Sequence, residues 1–208
     1  MRLESWGFRC ETATTHRKTS QGGEEINEVM VRMPNSKTIG LVAAPPTGFR
    51  EDGGVDLAVV RPLAEWLAGQ GVSGVFINGT TGEGLLLSVE ERTALAQEWR
   101  RALTGGIRLF VHVGHASLEE ARRMARHAQA IGADAVAGLA PPFSPPGEIE
   151  PLVAWCEEIA SAAPRLSFYY YHIPSQNGVH LRVANFIGAA GNRISNFAGA
   201  KFTFEALD

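Results

Sequence analysis

Short apolar runs alternate with helical stretches along most of this chain, and that order limits the available folds more than any other feature. Six runs read as strands: Ile39–Ala44, Gly74–Asn78, Ile107–Val113, Ala135–Ala140, Leu166–Tyr171 and Ile194–Phe202. Between the first two, Val55–Gln70 carries Leu57, Val60, Leu63, Ala64 and Leu67 at helical spacing. Ser88 with Glu91, and Ser117 with Glu120, read as capping boxes that open the next two helices, since each pair can satisfy the other's backbone donors. Glu148–Ala163 and the shorter Val183–Ala190 complete the helical stretches. Near-continuous apolar strands separated by helices predict a parallel sheet covered by helices.

Two architectures of that class compete, an open doubly wound sheet and an eight-fold barrel. A dinucleotide-binding sheet calls for GxGxxG after its first strand, where this chain has Ala43-Ala44-Pro45-Pro46-Thr47-Gly48, and no Walker-type GxxxxGK[ST] occurs. Polar residues gather instead at the C-terminal ends of the strands: Thr47, Thr80, Thr81, His112, Tyr171 and Lys201. That rim is where barrels build their active sites, so the expected fold is an α/β barrel of the TIM (β/α)8 type spanning residues 37–208. Residues 1–36 are polar, mixed in charge and aperiodic, and read as a disordered extension.

Composition narrows the function classes. A formal net charge of −3 gives no electrostatic case for a nucleic-acid partner. No apolar run approaches the ~20 residues of a membrane span. Cys10 and Cys156 form neither a CxxC nor a metal-ligand spacing, and with no secretory pattern at the start the expectation is a cytoplasmic protein with free thiols.

Three stretches carry candidate chemistry. Lys201 stands in the apolar strand Asn196–Thr203; a lysine there either snorkels to solvent or, desolvated, attacks a carbonyl to form a Schiff base. Gly79-Thr80-Thr81-Gly82-Glu83 can turn backbone N–H groups and two hydroxyls towards a small carboxylate, or serve as a plain strand-to-loop turn braced by Glu83. In Phe168-Tyr169-Tyr170-Tyr171-His172, alternation puts Tyr169 and Tyr171 on one face and Tyr170 on the other. One phenol could relay protons, while His172 reads as a core or loop histidine more readily than as a base. His112 and His115 lack a third ligand at metal spacing, so no metal is expected.

Phe76–Gly84, Leu87–Arg92, Tyr169–Pro174 and Gly199–Thr203 together, in this order and spacing, resemble the N-acetylneuraminate lyases. These belong to the class I, Schiff-base aldolase superfamily shared with dihydrodipicolinate synthase. The resemblance implies retro-aldol cleavage of N-acetylneuraminate (sialic acid) to N-acetylmannosamine and pyruvate. It makes Lys201 the Schiff-base lysine and Tyr171 the proton-shuttling phenol. Thr80 and Thr81 become the carboxylate clamp, and Thr203 a contact to the sugar. It also implies no cofactor beyond the covalent imine, and a homotetramer. Synthases carry a tyrosine where Pro142-Phe143 stands here, and an arginine where Gln176 stands; both departures favour a lyase or a related 2-keto-3-deoxy acid aldolase. Gly48 replaces the proline usual after Thr47.

A barrel of this type takes about 250 residues, roughly 31 per strand–helix unit, and Thr38–Asp208 accommodates about five and a half units. The expectation is therefore an incomplete barrel lacking strands seven and eight, with two readings of different class. One is an active lyase represented in part; the other is an inactive remnant that keeps the site residues.

Overall fold

A computed structural model describes residues 40–203. The expected extension over residues 1–36, and any helix after the sixth strand, lie outside the described residues.

Six strands run in chain order: β1 (Val42–Ala43), β2 (Gly74–Ile77), β3 (Arg108–His112), β4 (Ala135–Gly138), β5 (Ser167–His172) and β6 (Phe197–Phe202). They form one sheet in the order β1-β2-β3-β4-β5-β6, and every adjacent pair is parallel. A doubly wound sheet reverses its strand order at a switch point. This sheet has no reversal, and its curled arc is an incomplete TIM-type barrel.

The helices are α1 (Val60–Gly69), α2 (Val89–Ala102), α3 (Leu118–Ala130), α4 (Ile149–Ser161), α5 (Pro174–Asn177) and α6 (Val183–Arg193). The long ones pack on a single face of the sheet. Strand side chains such as Val75, Leu109, Val136, Phe168 and Tyr170 share that outer core with Leu67, Trp99, Met124, Ile159 and Phe186. The opposite, inner face is lined by Phe76, Phe110, Ala135, Ala137 and Tyr171 of the strands, with Leu139 and Ile173 just beyond them. Fully burying one large apolar side chain contributes about 1.5–3 kcal/mol, so the outer layer is what holds the arc together.

Local departures from the expected elements have simple causes. The stretch read as one helix from Val55 divides into a 3₁₀ turn at Leu57–Val59 and α1. Pro62 then falls in the first turn of α1, where a missing N–H removes no helical hydrogen bond. The first strand shrinks to two residues because Gly40, at φ 111, leaves extended geometry before it. Ser88 and Glu91 form the complete capping box. Ser117 receives only the Glu120 N–H, because the Glu120 carboxylate turns to Arg123 at 2.9 Å instead of back to the cap. Among the described residues no helix is long and apolar enough to cross a membrane.

Candidate active site

The site forms where β2, β3, β5 and β6 end. A β-bulge decides which side of the sheet the lysine faces. Phe168 of β5 registers with Phe197 of β6, but the next residue, Tyr169, registers with Gly199, leaving Ala198 as an extra residue. Phe197 belongs to the outer core, packed edge-on against Phe186. Strict alternation would keep Lys201, four residues on, on that same outer face. The extra residue inverts the parity, and Lys201 registers instead with Tyr171 on the inner face. Gly199 sits at φ 145, a backbone conformation that suits glycine.

Lys201 is half-buried, and its Nζ stands 3.9 Å from the Tyr171 ring centroid and 5.1 Å from that of Phe76. Such cation–π contacts hold an ammonium over ring faces rather than extended into water. Tyr171 is 3% exposed, and Phe76 and His112 meet its ring edge-on at 5.5 and 5.4 Å. Its hydroxyl reaches the Thr80 hydroxyl at 3.2 Å. Thr80, Tyr171 and Lys201 are thus brought together. Thr81 is exposed at the next position of the turn. Thr203 lies just past β6, where both its N–H and its hydroxyl donate to the His172 carbonyl, at 3.1 and 2.8 Å.

The threonine turn is held by its backbone. Asn78 adopts the left-handed conformation at φ 59, which asparagine tolerates better than most residues, and Glu83 does so at φ 54. The Gly84 N–H donates to the Gly79 carbonyl and the Glu83 N–H to that of Thr80. A Cβ on Gly84 would lie 1.9 Å from the Asn78 oxygen, so only glycine fits that close approach. From the loop after β1, Thr47 donates to the Gly82 carbonyl at 2.7 Å.

The histidines divide. His172 shares the outer face with Tyr170 and stacks on Phe202 at 5.3 Å, away from the Lys201 side. His115 accepts the Ser117 N–H at Nδ1. His112 is fully buried, with Nδ1 2.9 Å from the Asn78 carbonyl oxygen. Burial, then the positive charges of Arg92 and Lys201, push its pKa down to about 3 against the raising effect of the Asn78 contact, so the ring is neutral.

Arg92 is the polar residue missing from the sequence reading. It is fully buried and donates to the Gly114 and His112 carbonyls at 2.9 and 2.7 Å. Desolvation lowers its pKa to about 10, which leaves it cationic at neutral pH. One signal was available: Arg92 precedes Leu95, Trp99 and Leu103 at helical spacing, on the apolar stripe rather than the polar one.

Parallel strands in chain order, with reactive side chains at their C-terminal ends, place the chain among the (β/α) barrels. The sequence profile of the dihydrodipicolinate synthetase family matches residues 37–208, and the chain belongs to that family. It is 42% identical over 172 residues to the N-acetylneuraminate lyase of Gallus gallus, covering 82% of this chain and 56% of that one. The solved N-acetylneuraminate lyase of Aliivibrio salmonicida superposes with a TM-score of 0.80 at 38% identity, over 83% of this chain and 57% of that one. The dihydrodipicolinate synthase of Cyanidioschyzon merolae superposes at 0.73 with 28% identity, over 79% and 55%. The chain therefore spans little more than half the length of these relatives.

Proposed function

We propose that this chain carries the Schiff-base half of an N-acetylneuraminate lyase site, which cleaves N-acetylneuraminate to N-acetylmannosamine and pyruvate. The observation that carries the reading is Lys201 Nζ, 3.9 Å from the ring centroid of a tyrosine whose hydroxyl meets Thr80. The Lys201 amine attacks the C2 ketone of the open-chain sugar acid, and loss of water leaves a protonated imine. The Tyr171 hydroxyl gives its proton to the hydroxide that leaves as water. Its oxygen then accepts the proton of the C4 hydroxyl as the C3–C4 bond breaks and the electron pair of that bond moves into the imine as an enamine. N-acetylmannosamine departs; the enamine carbon takes that proton back from Tyr171, and hydrolysis frees pyruvate and restores the amine. Thr80 and Thr81, with the N–H groups of their turn, orient the carboxylate so that C2 faces Nζ. By resemblance to the lyases, Thr203 contacts the sugar.

The greater likeness to lyases than to the synthase supports this choice. So do Phe143, 90% exposed where synthases place a tyrosine, and Gln176 where they place an arginine. By the same resemblance the working protein is a cytoplasmic homotetramer, a reading to which the exposed Leu86 and Phe143 lend an apolar surface.

Borohydride reduction in the presence of pyruvate, followed by peptide mass spectrometry, tests the reading. A reduced pyruvyl adduct on Lys201 is expected, and Lys201→Ala removes it. Folded protein that yields no adduct overturns the proposal and leaves the inactive remnant as the better description.

A further inference from the structure

His112 has no task in the retro-aldol steps, yet it lies on the inner face in mutual ring contact with Phe76 and Tyr171. A carbonyl oxygen only accepts, so His112 Nδ1, 2.9 Å from the Asn78 oxygen, carries the ring hydrogen. Nε2 keeps a lone pair, is buried and has no hydrogen-bond partner. It packs on Gly114, where a Cβ would come within 2.7 Å of it. Arg92 closes the arrangement by donating to the carbonyls of His112 and Gly114, while the Asn78 side-chain amide donates to the Arg92 carbonyl at 3.1 Å. Three residues from the end of β2, the end of β3 and the first turn of α2 therefore form one closed, buried hydrogen-bond ring. The three bonds that close the ring are buried, so losing any one strands a desolvated group, although Asn78 Oδ1, Arg92 Nε and His112 Nε2 have no hydrogen-bond partner.

The imidazole touches both halves of the site at once. Through Nδ1 it holds the residue from which the Thr80–Thr81 turn departs. Through its ring it stands at 87° to Tyr171, with centroids 5.4 Å apart.

We propose that His112 is a positioning residue, holding the carboxylate-binding turn through Asn78 and the Tyr171 phenol through its ring, so that substrate and proton acceptor are set to one geometry. The proposal rests on the retro-aldol reading of Lys201 and Tyr171. It assigns His112 no contact with substrate.

Two substitutions in the full chain separate its two contacts. His112→Phe keeps a ring beside Tyr171 and leaves the Asn78 carbonyl unpaired. His112→Asn puts an amide nitrogen where Nδ1 stands and removes the ring. The readouts are the pyruvate concentration that half-saturates borohydride trapping and the kcat for N-acetylneuraminate cleavage. His112→Phe raises half-saturation about tenfold, whereas His112→Asn keeps it within about twofold and lowers kcat about tenfold or more. A merely structural role moves both readouts together in both variants. That result, or wild-type values in either variant, overturns the proposal.

The imidazole nitrogen NMR shifts of the wild-type chain give a test that needs no variant to fold. They should report Nδ1 protonated and Nε2 bare between pH 5 and 8, and an Nε2–H ring overturns the proposal. A wild-type chain that forms no pyruvate adduct overturns the proposed function instead, and the tautomer still decides whether the clamp exists.

Discussion

The hydroxyls of Thr80 and Tyr171 lie 3.2 Å apart, although 91 residues separate them in the chain. One leaves the end of β2 and the other stands near the end of β5, and only the curl of the sheet brings them within hydrogen-bonding distance. The contact gives the phenol a fixed partner beside Lys201. Tyr171→Phe should therefore keep the borohydride-trapped pyruvate adduct, which needs only the amine, and lose about 10²–10⁴-fold in cleavage kcat, the usual worth of a positioned acid–base group. Cleavage at the wild-type rate would remove Tyr171 from the mechanism. Thr80→Val made alone and with Tyr171→Phe should show non-additive losses in a double-mutant cycle, because the two groups share one bond.

The bulge at Ala198 makes a second, separate demand. Gly199→Ala imposes a side chain on φ 145 and should cost about 1–3 kcal/mol in urea unfolding, the range for a residue forced into a sparsely populated backbone region. Deleting Ala198 leaves Gly199 opposite Tyr169 and Lys201 opposite Tyr171, so the lysine stays on the inner face and the adduct survives. Inserting one residue between Gly199 and Ala200 instead turns Lys201 to the outer face and abolishes the adduct. An adduct of normal yield from the insertion variant would show that the register of β6 does not orient the lysine.

The two serine caps should differ. Ser88 both accepts the Glu91 N–H and has its own N–H bonded to the Glu91 carboxylate, whereas Ser117 has only the first contact, at 3.4 Å. Ser88→Ala is expected to lose about 1 kcal/mol in chemical denaturation, and Ser117→Ala less. Equal losses would mean that the reciprocal bond adds nothing.

The buried His112 predicts a stability that falls on acidification. Its folded pKa is lowered from 6.5 to about 3, so between those values the unfolded chain takes up a proton that the folded chain refuses. The stabilisation is complete above about pH 6.5 and is lost as pH falls towards 3, at up to about 1.4 kcal/mol per pH unit for one proton. Burial lowers His127 and His172 in the same direction, so the difference between wild type and His112→Phe isolates this residue. Urea midpoints between pH 7 and 5 should fall more steeply for the wild-type chain. Parallel profiles would show that His112 is not held neutral.

Much of this architecture was legible in the residues because strands and helices declare themselves by local periodicity. The six strands, the long helices, the Ser88 capping box and the opposite faces of Tyr170 and Tyr171 all follow from spacing a few residues long. Lys201, Tyr171 and Thr80 were also recognisable as a set, from their motifs and order. Arg92 escaped because an arginine beside two glutamates reads as a solvated helix face; its two carbonyl acceptors, Gly114 and His112, lie 22 and 20 residues further along.

By itself, the sequence determined the alternation that makes a parallel, helix-covered sheet, and the identity of the amine, phenol and hydroxyls. Tertiary structure alone decided how they face one another. One unpaired residue in β6, which alters no local propensity, reverses the parity of the strand and carries Lys201 from the helix side to the Tyr171 side. Register between strands is a long-range property: it is set by which side chains pack across the sheet, not by the order of residues within one strand.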